Sequence, residues 1–320
     1  MTNDSQLDLD IASWLAKNDV TQPELADAVA EARRRSRERN AEALARMNPA
    51  LIPASETDAT IAGPAGELAI RVLRPADTGP KATVVYFHGG GWMVGDIDTH
   101  LGHARRMSTQ INAVVVMVNY RRAPEDRFPA AFDDAVAATE WAAAHLDELG
   151  SNGMLVVAGD SVGGQLAASV AIARRNAGQP LTAQLLLYPV TDVLGRYGDR
   201  PETDYFSRRT VGSGYGLTLA DMNAFACNYV DEADSADWRV SPLRCDDLTG
   251  VAPAVVHTAT LDVLRTEGNF YAQALEKAGV RVISREFPTL NHSYFGLGGV
   301  SGVADSAAAQ AAEDLISLLD

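Results

Sequence analysis

Apolar positions recur along this chain in two rhythms, and the change between them falls near residue 56. Before it, Leu25, Val29 and Ala32 repeat at helical spacing, and the first fifty residues read as helices. After it, short apolar runs predict strands over 57–62, 67–73, 82–87, 113–118, 153–158, 183–188, 254–259 and 281–287. Beyond the first three, most of these alternate with helical stretches such as Ala130 to Leu149 and Leu264 to Ala278. Nearly continuous apolar strands separated by helices are buried on both faces. The pattern therefore predicts an α/β protein with a mostly parallel, eight-stranded sheet flanked by helices.

Residues 194–235 break the alternation. Gly195 to Arg209 is rich in charge, glycine and proline, Val211 to Gly216 reads as a hinge, and Leu219 to Tyr229 reads as a helix. The expected organisation is N-terminal helices over 1–50, a sheet-based domain over 51–193 and 236–320, and an insertion over 194–235.

Composition narrows the function. The 320 residues suffice for one large domain with a sizeable core. Twenty-seven basic against 42 acidic residues leave a net charge of −15, which repels phosphate backbones and argues against nucleic acid as a partner. The basic stretch Arg33 to Arg39 interleaves with Glu31 and Glu38 and reads as a solvated helix face. Cys227 and Cys245 lack metal-ligand spacing, so buried free thiols and no metal are expected. The longest apolar run, Ala113 to Val118, is far too short to span a bilayer. The polar, acidic first residues lack the features of a signal peptide, and a cytoplasmic protein is the expectation.

Two glycine-rich motifs carry the chemistry. GDSVGG at 159–164 follows the strand Met154 to Ala158 and opens a helix through Leu166 to Ala173. A strand, a tight turn with serine at its apex and a helix form a nucleophile elbow, which leaves the Ser161 hydroxyl exposed at the top of a sheet. Upstream, His88-Gly89-Gly90-Gly91-Trp92 follows the strand Thr83 to Phe87. Such a loop, with the N–H of the residue after the nucleophile, stabilises the tetrahedral oxyanion of acyl transfer. The oxyanion-hole candidates are therefore Gly90, Gly91 and Val162, with Gly89 as the neighbour that shapes the loop.

These motifs resemble the bacterial hormone-sensitive-lipase-like branch of the α/β-hydrolases, a family of carboxylesterases. The resemblance covers most of 80–300, through YFHGGGW (86–92), NYRRAPEDRFPAAFDDA (119–135), LLLYPVTD (185–192), SPL (241–243), LDVLRTEG (261–268) and NHSYF (291–295). It implies an α/β-hydrolase fold with a helical cap formed by the insertion and the N-terminal helices. It also implies hydrolysis of a small ester of short to medium acyl chain, with no cofactor, and dimerisation is common in the family. The chain departs from the family at Val162, usually alanine, and at Ser293, usually glycine; both stand where they reshape the pocket.

The elbow fixes the order serine, acid, histidine. Asp262 follows the strand Ala254 to Ala259, and His292 follows the strand Val282 to Phe287 in a loop that begins at Pro288. Serine needs a neutral imidazole to take its proton, and the imidazole needs a carboxylate to fix its tautomer. His88, His100, His103, His145 and His257 lie too early or inside regular elements. Glu267 competes as the acid, and the resemblance favours Asp262. For Asp160, beside the nucleophile, a local hydrogen-bonding role is expected, with its carboxylate also counted among the pocket-facing groups. Trp92, Tyr188, Phe206, Tyr215, Leu264, Ser293 and Tyr294 complete the candidate substrate-binding set, with Phe225 as a further aromatic of the insertion. Amide or aryl-ester hydrolysis, and a small-ligand receptor on the same scaffold, remain the alternatives. A receptor of this kind in the family has lost its catalytic histidine, whereas His292 is retained.

Overall fold

The computed structural model describes residues 6–18, 27–79, 81–198 and 205–320; Leu25 and positions 199–204 of the insertion lie outside the described residues. Eight strands form one sheet in the order β1-β2-β4-β3-β5-β6-β7-β8. They are β1 (Ser55–Gly63), β2 (Gly66–Arg74), β3 (Lys81–Phe87), β4 (Val114–Val118), β5 (Ser151–Asp160), β6 (Ala183–Leu187), β7 (Ala254–Leu261) and β8 (Val282–Asn291). β1 and β2 form an antiparallel hairpin, β2 meets β4 antiparallel, and all remaining pairings are parallel.

The helices are α1 (Leu9–Lys17), α2 (Asp27–Ala45), α3 (Leu101–Gln110), α4 (Ala130–Ala144), α5 (Leu146–Leu149), α6 (Val162–Asn176), α7 (Phe206–Thr210), α8 (Leu219–Tyr229), α9 (Arg265–Lys277) and α10 (Gly302–Leu319). Every residue of β3, β4, β6 and β7 is buried, because helices cover both faces of these strands. Strand alternation divides the core in two. Val85 and Phe87 point toward the layer of α4, α6 and α9, while Val84 and Tyr86 point toward α3 and α10. The alanine-rich faces of α4 and α10 let these helices lie close on the sheet.

Most strand ends shift by one or two residues from the sequence reading, and two boundaries differ by more. The single helix expected over 130–149 is interrupted at His145, whose backbone leaves helical geometry, and α5 then ends on left-handed Gly150. The last strand does not stop before Pro288 but continues to Asn291. β8 is an edge strand, where a residue without an N–H need not break the ladder. His292 thus follows directly from a strand end. Cys227 and Cys245 are free but half-buried where buried thiols were expected, and no described helix is long and apolar enough to cross a membrane.

What this arrangement does for function is geometric. The loops that follow the parallel strands β3, β5, β7 and β8 all leave the same edge of the sheet. They carry the HGGG segment, Ser161, Asp262 and His292 respectively. The C-terminal edge of an open α/β sheet is where ligands bind.

Candidate active site

Ser161 sits at the N-cap of α6 with φ 57° and ψ −121°, a conformation seldom adopted by a residue with a side chain. The strain is held by close backbone packing around the elbow. A Cβ on Gly159 would lie 2.1 Å from the Gly163 carbonyl oxygen, and one on Gly163 would lie 2.0 Å from that of Phe87. Only glycine fits at either position, which explains the spacing of the motif.

From this apex, Ser161 Oγ lies 2.9 Å from His292 Nε2, and His292 Nδ1 lies 2.7 Å from Asp262 Oδ2. The other oxygen of Asp262 accepts the Leu264 N–H at 2.9 Å, so the carboxylate is fixed on both sides. All three residues are buried. Tyr188 and His292 pack edge to face, with ring centroids 4.8 Å apart. This is a Ser–His–Asp relay with the histidine positioned to take the serine proton.

The rival groups are engaged elsewhere. His257 Nε2 pairs with Asp314 Oδ2 at 2.8 Å, which commits it to α10. Glu267 is fully buried and accepts from the Thr191 N–H, the Tyr197 hydroxyl and Arg208, the last at 2.5 Å. It therefore anchors the segment after β6. Glu125 accepts both prongs of the Arg33 guanidinium and ties the loop before α4 to α2.

In the HGGG loop the N–H of Gly89 donates to Asp160 Oδ1 at 2.9 Å. Gly89 is thereby removed from the set of oxyanion donors and acts as a fixed point of the loop. The N–H groups of Gly90, Gly91 and Val162 have no acceptor among the described residues. Gly90 and Gly91 have φ of 111° and 60°, and a Cβ on Gly91 would fall 2.4 Å from the Phe225 ring of α8. The three glycines form a packed, ordered loop.

Asp160 also accepts from the Tyr86 hydroxyl at 2.5 Å and faces His100 Nε2 at 3.5 Å. Burial penalises its charge, yet the His100 imidazole and the Tyr86 hydroxyl outweigh that and hold its carboxyl below the usual range. Its carboxylate touches the cavity but is committed to the protein, so the expected substrate contact is replaced by the local role.

An open cavity of about 150 Å³ lies over Ser161 and His292. Ser293 lines it with φ 68°, a left-handed conformation that suits the glycine usual at this place in the family it resembles. Most of the expected aromatic contacts are corrected. Trp92 is fully buried, stacks on Tyr229 and donates to Gln165 Oε1 at 3.0 Å. Tyr188 and Tyr294 turn inward and pack on each other, and Leu264 and Val162 are core residues. Phe206 is exposed and lies outside the cavity wall, and Tyr215 contributes a carbonyl that accepts from Asn291 Nδ2. The wall comes instead from Trp14 and Leu15 of α1, Ser36 and Arg39 of α2, and Met222 and Phe225 of α8. Arg39 belongs to the basic stretch read as a solvated helix face, and that reading is corrected here because Ser36 and Arg39 turn into the cavity wall; Trp14, Leu15, Ser36 and Met222 carried no signal of their own, being ordinary helix-face residues remote from the motifs.

Beneath the loop, burial lowers the pKa of both His88 and His103 from 6.5 to about 3. Both are neutral in the fold and take up a proton below pH 6.5 once unfolded, so stability falls as pH drops from 6.5 toward 3. Each contributes a slope of about 1.4 kcal/mol per pH unit. Denaturant titrations at pH 7 and pH 5 are expected to differ by about 2–4 kcal/mol, and His103→Leu to shrink the difference. Equal stability at the two pH values would contradict the buried neutral histidines.

Residues 84–296 match the sequence profile of the family described as alpha/beta hydrolase fold. The carboxylic ester hydrolase LipN of Mycobacterium tuberculosis is 39% identical over 272 residues, 82% of this chain and 69% of that protein. The esterase LipI of the same organism is 38% identical over 263 residues, 78% of each chain. The solved structure of a hyperthermophilic esterase from the archaeon Pyrobaculum calidifontis superimposes with a TM-score of 0.88. It is 33% identical and covers 98% of this chain and 99% of that one.

Proposed function

The chain belongs to the α/β-hydrolase fold family and is a serine hydrolase on an esterase-like scaffold, and from that premise we propose that it is a carboxylesterase of the hormone-sensitive-lipase-like branch. The observation that carries this reading is the unbroken relay from Ser161 through His292 to Asp262 beside three N–H groups that lack a partner among the described residues.

Ser161 Oγ attacks the ester carbonyl while its proton passes to His292 Nε2. Asp262 stabilises the imidazolium that forms. The N–H groups of Gly90, Gly91 and Val162 hold the negative oxygen, helped by the positive end of α6. Collapse of the tetrahedral intermediate breaks the ester C–O bond, and His292 gives its proton to the departing alcohol. A water then loses a proton to His292, attacks the acyl carbon and restores Ser161 as the acid leaves. Removal of one oxyanion donor costs about 2.7–4 kcal/mol of transition-state stabilisation in comparable sites.

We assign the cap to residues 1–50 and 194–235, over a catalytic domain of 51–193 and 236–320. Support comes from the cavity wall, to which α1, α2 and α8 all contribute side chains above Ser161. The small size of that space favours short- to medium-chain acyl groups. Turnover of p-nitrophenyl esters from acetate to palmitate tests this: the rate is expected to peak at the short chains and fall steeply beyond them. A maximum at palmitate would overturn the chain-length assignment, and no turnover at any length would overturn the esterase reading.

A further inference from the structure

The arginines of α2 divide by partner. Arg33 pairs with Glu125, Arg34 and Arg35 with Glu31, and Arg37 with Asp96. Arg39 is the exception. No described residue gives it a carboxylate or a hydrogen bond, and it stands in the wall of the cavity that holds Ser161 and His292. Burial lowers the pKa of its guanidinium, with no opposing charge to compensate.

Ser36 precedes Arg39 by three residues and so shares its helix face and the same wall. Its Oγ accepts from Asn40 Nδ2 at 3.3 Å, and its own proton meets no acceptor among the described residues. The carboxylates at the cavity are already committed. Asp160 is held by Tyr86 and Gly89, and Asp221 by Thr218 in the cap of α8. Both carboxylates thus meet hydrogen-bond donors among the described residues, whereas the Arg39 guanidinium meets no acceptor there. A partly desolvated cation without a counterion is costly to keep, and a guanidinium fork matches a carboxylate in shape and charge.

We propose that the ester this enzyme takes carries an anionic group, a carboxylate in its simplest form, bound by Arg39 and Ser36 while the ester carbonyl lies at Ser161. The proposal rests on the ester-hydrolase reading and adds the substrate class. The net charge of −15 slows the approach of an anion, but does not alter which group neutralises Arg39 once it is bound.

Two ester pairs test it, each replacing a terminal methyl by a carboxylate. On the acyl side, p-nitrophenyl hemiglutarate is compared with p-nitrophenyl pentanoate; on the alcohol side, the acetate of 4-hydroxybutanoate with butyl acetate. In wild type the kcat/KM ratio of anionic to neutral ester is expected to exceed one for at least one pair, which also tells where the anion lies. A hydrogen-bonded charge supplies about 1.5–3 kcal/mol, so Arg39→Met is expected to lower that ratio about tenfold to hundredfold, with Arg39→Lys intermediate. Thermal melts of the three proteins establish that each is folded. Ratios unchanged by Arg39→Met in both pairs would overturn the proposal. Absence of turnover of any of these esters by wild type would instead overturn the ester-hydrolase reading.

Discussion

Ser161→Ala is expected to lower kcat/KM by about 10⁴–10⁶-fold, close to abolition in a routine assay. The loss follows from the bond that the serine alone makes: without Oγ there is no acyl-enzyme, and water must attack directly. The fold should be untouched. The Ser161 side chain makes one hydrogen bond, to His292, and alanine accepts the same backbone angles at the same steric cost. Strained functional positions often gain stability when the functional group is removed, so the melting temperature should hold or rise. Circular dichroism and melting beside the kinetic assay separate the two effects. Turnover within tenfold of wild type would mean that another group is the nucleophile.

Asp262→Asn is expected to cost about 10⁴-fold in kcat with little change in KM, by a different route. The remaining carbonyl oxygen can still accept the Leu264 N–H, which leaves the amide nitrogen facing His292 Nδ1. An N–H at that place donates to the imidazole and drives the ring proton to Nε2. His292 then presents a donor to Ser161 where an acceptor is required. Substrate affinity is set elsewhere, so kcat and kcat/KM should fall together. A loss of less than tenfold would point away from Asp262 as the orienting acid.

The sheet was legible in the sequence because helices cover both faces of its central strands, so that Val84 to Phe87 or Val114 to Val118 reads as an unbroken apolar run. The triad was legible because its members lie where strands end; chain order eliminates rivals such as His100, and a place inside a strand eliminates His257. The cavity wall was not legible. Its side chains come from α1, α2 and α8, where Trp14, Ser36 and Met222 look like ordinary residues on helix faces. Proximity to a motif also misled. Trp92, Tyr188 and Tyr294 lie beside functional residues in tight turns, and in such turns adjacent side chains point in different directions, here into the core. Asp160 adjoins Ser161 yet faces the loop it anchors. Pro288 suggested a strand end because a proline breaks an interior ladder, and only the position of β8 at the sheet edge makes it harmless.

The central claim is that hydrolysis proceeds through a covalent intermediate on Ser161. The most direct measurement is reaction with a p-nitrophenyl alkylphosphonate, in which Ser161 Oγ would form a P–O bond as p-nitrophenolate leaves. One equivalent of p-nitrophenolate per chain, parallel loss of ester hydrolysis and a mass increase confined to the peptide containing Ser161 are expected. The same peptide from Ser161→Ala should remain unmodified. Full inactivation with the adduct on another residue, or ester hydrolysis that persists once Ser161 is fully modified, would contradict the account.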